Sequence, residues 1–197
     1  MAPGKMRYGF RCTGSERRFR GAVISVDELS IEGPEGERLT REVVRHPGAV
    51  AAVALLEGPG PLKVLLVRQF RSAAGEYLLE LPAGKRDVKG EPPRETMRRE
   101  LIEEIGMNPS ELVELATFWT TPGFTDERCT VFLASGLQEC GTDRQGAEER
   151  YMEVVEVLMD DLAGLIASGE LADAKSIAGL CLAQAALAQG SQPALPK

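Results

Sequence analysis

Apolar positions come in short runs over the first half of the chain and take up helical spacing only later. Residues 19–25 and 39–44 alternate or cluster as strands do, with a Gly-Pro-Glu-Gly turn at residues 33–36 between them. Residues 50–56 and 62–68 are apolar runs separated by Glu57-Gly58-Pro59-Gly60, which predicts a hairpin. Residues 77–81 form a further short strand that ends in Pro82-Ala83-Gly84, a forced turn. The residues up to Phe10 read as a loose arm.

From Pro92 the period changes. Met97, Leu101 and Ile105 recur every fourth residue and mark one apolar face of a helix. Pro92 and Pro93 suit its first turn, and Gly106 suits the left-handed residue after its last. Strands return at residues 112–120, 129–134 and 151–158. Helices are expected at 160–168 and 174–189, the second closing at Gly190. Helices interleaved with a strand-rich body predict an α/β (α+β) sandwich. Residues 1–45 form a small β region of their own, whose sheet needs a partner surface. Residues 46–190 form the main domain and 191–197 a C-terminal tail.

Composition narrows the function. The 197 residues carry a formal charge of −7, a poor match to nucleic-acid phosphates. No apolar run approaches the roughly 20 residues that span a bilayer, and the basic N-terminus lacks the apolar core of a secretion signal. The expectation is a cytoplasmic protein without nucleic-acid or membrane partners. The four cysteines are scattered with no Cys-x-x-Cys pair, so reduced structural thiols are expected. His46 is the single histidine, read as an ordinary strand-end residue, which excludes mechanisms that need two. Trp119 reads as a core aromatic.

The chemistry lies on the helix that begins near Pro93. At about 100° per residue, Glu104 stands about 40° from Glu100, and Glu103 about 60° to its other side. Three carboxylates therefore share one face, in the last turn, where the helix dipole is already negative. Such a cluster opposes helix stability unless a cation resolves it. Mg²⁺ takes oxygen ligands and keeps several waters for substrate phosphates. Arg99 can pair with Glu95 or Glu103 at four-residue spacing and hold one carboxylate in place.

Gly84, Glu91, Arg99, Glu100, Leu101, Glu103, Glu104, Gly106 and Met107 resemble the Nudix box, Gly-x5-Glu-x7-Arg-Glu-U-x-Glu-Glu-x-Gly-U, where U is bulky and apolar. Gly84 precedes Glu91 by one residue more than the pattern, an insertion ahead of the helix that leaves the carboxylate spacing intact. Thr121-Pro122-Gly123-Phe124-Thr125-Asp126-Glu127 is similar to the loop that marks the ADP-ribose pyrophosphatase branch. The stretches around Arg68 to Arg71, Leu79 to Gly84 and Glu170 to Gly179 also resemble that branch.

The resemblance implies a Nudix-type α/β/α sandwich with a mixed sheet and a small N-terminal antiparallel sheet that builds a homodimer. It implies Mg²⁺, or Mn²⁺ or another divalent cation, held by Glu100, Glu103, Glu104 and the Ala83 carbonyl. Glu80 is implied as a further ligand or substrate contact, with Arg68, Arg71 and Phe124 binding substrate. Arg99 and Glu103 support catalysis, and Glu148 or Glu149 orients the attacking water. The implied reaction is hydrolysis of ADP-ribose to AMP and ribose 5-phosphate. The alternatives are another nucleoside diphosphate derivative (a nucleotide sugar, NADH or a dinucleoside polyphosphate) or a non-catalytic nucleotide-binding module. Intact Glu100, Glu103 and Glu104 favour the enzyme.

Overall fold

The computed structural model describes residues 4–5, 8–144 and 149–188, and within them the chain divides into two compact units. The first unit takes the residues up to Gly48 together with Trp119–Arg128. It is built on a sheet of four antiparallel strands in sequence order: β1 (Gly4–Lys5), β2 (Arg11–Arg20), β3 (Ser25–Glu32) and β4 (Arg38–Arg45). Part of the expected loose arm is thus strand β1. The strand expected at 19–25 is corrected too. Gly21 N–H donates to the Ile24 carbonyl at 2.8 Å, and this turn separates β2 from β3.

Charge pairing explains why β2 exists without an apolar pattern. Arg11 stands opposite Glu32 and donates to both its oxygens at 3.0 and 2.9 Å, while Arg17 stands opposite and pairs with Asp27. Arg18 reaches Glu28 at 2.9 Å. Opposite charges across a ladder each add a few tenths of a kcal/mol up to about 1. Cys12 and Leu29 supply the small apolar interior.

The second unit holds a seven-stranded mixed sheet. Its path runs β11 (Glu153–Leu158), β6 (Lys63–Arg71), β5 (Ala49–Leu56), β10 (Arg128–Glu139) and β9 (Met107–Trp119). Two short strands lie off the path: β7 (Glu76–Glu80) on β6 and β8 (Ala83–Lys85) on β5. β5 runs parallel to β10 and antiparallel to β6, the expected hairpin. β8 was hidden in the Pro-Ala-Gly turn.

Strand alternation sorts the core into two layers. Val50, Ala52, Ala54, Leu65 and Val67 pack with Met97, Leu101 and Ile105 of helix α1 (Pro93–Ile105). Ala51, Val53, Leu55, Val64 and Leu66 pack on the other face with residues of α2 (Leu162–Ser168) and α3 (Ala174–Ala188). The result is an α/β/α sandwich. Met97 and Leu101 are fully buried, and each such side chain contributes about 1.5–3 kcal/mol. α3 approaches the sheet closely at Gly179, where a Cβ would meet Leu81 Cδ1 at 2.7 Å and Val131 Cγ1 at 3.0 Å. The expected tail, 191–197, lies outside the described residues.

Candidate active site

Helix α1 is set at both ends. Pro92 and Pro93 open it, and Gly106 closes it in the left-handed conformation at φ 67°, its N–H on the Ile102 carbonyl at 3.1 Å. Its apolar stripe faces the sheet, which turns the glutamates of the last two turns toward the β7–β8 turn. No basic residue lies in the last turn. A cation comes instead from the segment after β10, where Arg144 donates to the Glu104 carbonyl at 3.1 Å and the Met152 carbonyl at 2.7 Å.

Arg99 gathers the acidic face. Its guanidinium meets Glu103 at 2.9 Å, Glu100 at 3.0 Å and Glu91 at 3.3 Å. The expected partner Glu103 is present. Glu91, matched only by its place in the box, proves to be a further one. Three carboxylates share one guanidinium, so the cluster stays short of positive charge. Hydrogen bonds from Arg99 and Thr96 hold the Glu91 carboxyl below its ordinary range. Burial pushes the Glu100 carboxyl up to about 7, with Glu103 adding to the shift and Arg99 opposing it.

The β7–β8 turn completes the site. Ala83 N–H donates to Glu104 Oε2 at 3.0 Å, which ties the turn to the helix. Gly84 lies directly under Glu100. A Cβ there would stand 2.0 Å from Glu100 Cδ and 2.1 Å from Oε1, far inside contact distance. Gly84 is therefore required for space, not for backbone conformation. The inserted residue before the helix falls between Gly84 and Glu91, where residues 85–90 are exposed throughout, and the contact of Gly84 with Glu100 is kept.

Among the described residues no three acidic, thiol or imidazole groups already converge on one point. The carboxylates are instead held by Arg99 and by the Ala83 amide. The donor set nonetheless fits a hard divalent cation: all oxygen, on one helix face beside a turn, with a glycine cradle that admits Glu100.

Glu80 and Arg71 are paired with each other. Glu80 is only 1% exposed, and both its oxygens accept from Arg71 at 2.7 Å while Lys175 pairs with Oε2. Three of its acceptor positions are taken by these two cations, and the carboxylate is closed off from solvent. The Glu80 hydrogen bond outweighs burial and raises the Arg71 pKa above its ordinary value. Arg68 pairs with Glu170 at 3.0 Å.

The loop around Pro122 belongs to the first unit. Phe124 carbonyl accepts from Val44 N–H at 2.8 Å, and Asp126 accepts from Arg45 and from His46 N–H at 2.9 Å. Asp126 thus fastens its own loop to the end of β4, and Phe124 is left exposed. Trp119 is corrected from core to surface. It is 53% exposed, with Arg128 5.4 Å above its ring. Glu148 lies outside the described residues, and of Glu149 only the backbone, in the turn Glu149–Tyr151, is described.

The family model for the NUDIX domain matches residues 45–179. The chain belongs to the Nudix family. An ADP-ribose pyrophosphatase of Bacillus subtilis is 40% identical over 161 residues, 82% of this chain and 85% of its own. One from Mycobacterium tuberculosis is 37% identical over 186 residues, 94% and 88% of the two chains. A GDP-mannose pyrophosphatase of Yersinia enterocolitica is 34% identical over 177 residues, 86% and 90%. The solved structure of an ADP compounds hydrolase superposes with a TM-score of 0.81 at 20% identity, covering 96% of this chain and all of that one, a likeness of fold. This chain is a Nudix hydrolase. Its Nudix box is the segment just described, from Gly84 to Met107.

Proposed function

We propose that this Nudix hydrolase cleaves the pyrophosphate of ADP-ribose with the help of Mg²⁺, giving AMP and ribose 5-phosphate. The observation that carries the chemistry is the Gly84 cradle under Glu100, beside a Glu104 carboxylate tied to the Ala83 amide. The substrate rests on two relatives of high coverage that are named ADP-ribose pyrophosphatases.

Glu100, Glu104, Glu103 and the Ala83 carbonyl would hold the cation. Bound there, it supplies charge neutralisation for the phosphate oxygens and activates water for attack. Arg99 holds Glu103 and Glu100 in place and keeps the cluster from collapsing into mutual repulsion. Arg71, fixed through Nε and one Nη by Glu80, keeps its remaining N–H groups for a phosphate or ribose oxygen, and Arg68 adds a second cation. Glu148 or Glu149 orients the attacking water. Water adds to one phosphorus, the bond to the bridging oxygen breaks, and two phosphomonoesters leave. Phe124, exposed in the first unit, offers a ring face to a base. Exposed Phe19 of β2, with Phe10 just before that strand and Val23 and Ile24 in the turn after it, supports a homodimer.

The test is hydrolysis with Mg²⁺ of ADP-ribose beside GDP-mannose, NADH and diadenosine polyphosphates, with products resolved by chromatography. AMP and ribose 5-phosphate, with ADP-ribose well ahead of the panel, are expected. A clear preference for GDP-mannose would remove the substrate and keep the chemistry.

A further inference from the structure

The β7–β8 turn, Leu81 and Pro82, leads into Ala83 and Gly84, which pair with Ala51 and Val50 of β5 and stand beside the acidic face. Pro82 has no N–H, so the polar groups of the turn find partners one at a time. Pro82 carbonyl accepts from Ala52 N–H at 3.0 Å and Ala83 N–H donates to Glu104. Leu81 N–H donates to Ser176 Oγ at 2.8 Å, a bond that crosses to the first turn of α3.

Ser176 is fully buried, and its hydroxyl has a single proton. Asp173 Oδ2 takes that proton and also accepts from Ser176 N–H at 2.9 Å. Asp173 is acceptor only, so the hydroxyl must turn a lone pair toward Leu81. Burial alone would raise the Asp173 carboxyl, yet Lys175 and Ser176 hold it below its ordinary range. Lys175 Nζ bridges Asp173 at 2.9 Å to Glu80 Oε2, and Glu80 in turn grips Arg71. The start of α3 therefore grips the turn twice: on the backbone through Ser176 and on the Glu80 side chain through Lys175.

We infer that Lys175 and Ser176 are positioning residues that set the Ala83–Gly84 backbone against Glu100 and Glu104, and Arg71 for the phosphates. The inference rests on the metal reading of that face. Among the described residues Lys175 makes both of its ion pairs within this cluster, so its loss acts on the turn rather than on the apolar core. Partners that bond a metal ligand directly change metal affinity or activity about 10- to 100-fold when lost. Ser176 bonds the backbone two residues before Ala83 and Lys175 acts through Glu80, which sets the expectation at the lower end of that range.

The experiment compares Lys175→Met, Lys175→Arg and Ser176→Ala with the wild-type protein. It reads Mn²⁺ binding by calorimetry without substrate, the Mg²⁺ concentration for half-maximal ADP-ribose hydrolysis, kcat, KM and Tm. Lys175→Met is expected to weaken Mn²⁺ binding and raise the half-maximal Mg²⁺ concentration about tenfold, with Lys175→Arg recovering most of the loss. Ser176→Ala, folded by circular dichroism, should show the same direction. Metal binding and kcat within twofold of wild type in Lys175→Met, with only Tm lowered, would overturn the inference and leave the metal reading standing. Wild-type protein that neither binds Mn²⁺ nor needs a divalent cation would overturn both.

Discussion

Replacing Gly84 with alanine adds one methyl group where Glu100 leaves no room for it. The new Cβ would stand 2.0 Å from Glu100 Cδ, against 3.4 Å for ordinary contact. The carboxylate must therefore retreat by about 1.4 Å, whereas metal–ligand distances tolerate only about 0.2 Å. Misplacing a reacting group by about 1 Å costs on the order of a hundredfold. The expected loss in kcat/KM for ADP-ribose is about 100- to 1,000-fold, or about 3–4 kcal/mol. Stability should change little, because Glu100 lies at the edge of the core and Gly84 does not sit at a positive φ. The assay follows AMP release at saturating Mg²⁺, with thermal unfolding in parallel. Gly58→Ala serves as the control, since nothing lies within 4 Å of its added methyl. A Gly84→Ala enzyme within threefold of wild type would refute the cradle and the assignment of Glu100 with it.

Glu104→Gln keeps the size of the side chain and an oxygen for the Ala83 amide, so turnover should drop by orders of magnitude at nearly unchanged Tm; near-wild-type turnover removes Glu104 from the site. Glu148→Gln and Glu149→Gln, assayed side by side, should separate into one severely impaired enzyme and one nearly normal one, and two normal enzymes would place the water-orienting group elsewhere. Gly179→Ala should destabilise the protein by about 1–3 kcal/mol through contact with Leu81 and Val131, lowering Tm by about 2–10 °C without touching the metal requirement. Asp27 is held at about 2, below its ordinary 3.8, by hydrogen bonds from Arg17 and Arg45. A depressed carboxyl stabilises fully above the unfolded value, so that contribution fades as pH falls from 3.8 toward 2. Emission from Trp119, the single tryptophan and in the same unit, should report this loss over that window, and Asp27→Asn should flatten it.

What could be read from the sequence was what repeats along it. The apolar runs of β5 and β6 and the four-residue stripe of α1 declare their elements because each buries its side chains by a local rule. β2 does not, since its residues alternate no apolar face. Arg11 and Arg17 become intelligible only once Glu32 and Asp27 stand opposite them. β8 was hidden for a different reason: three residues after a proline look like a turn until Ala49–Ala51 pair with them. At the site, the spacing of Glu100, Glu103 and Glu104 was legible because one helix carries all three. Arg144, Lys175 and Ser176 were not, for each acts on a residue tens of positions away.

The last turn of α1 breaks a local rule by stacking carboxylates against the negative end of a helix. The structure answers that conflict only in part. Arg144 supplies the cation that the last turn lacks, but to a backbone carbonyl, and Ala83 gives Glu104 a single neutral donor. Arg99 is divided among Glu91, Glu100 and Glu103. Glu100, with burial against it, is left with a carboxyl near 7. A helix shaped by stability alone would place lysine or arginine in that turn. Local conflicts of this kind concentrate at functional sites. The charge still wanting on this face is positive, and the groups around it offer oxygen alone. A hard divalent cation would satisfy both conditions, and on the proposed reading the same residues that weaken the helix would equip it for phosphate chemistry.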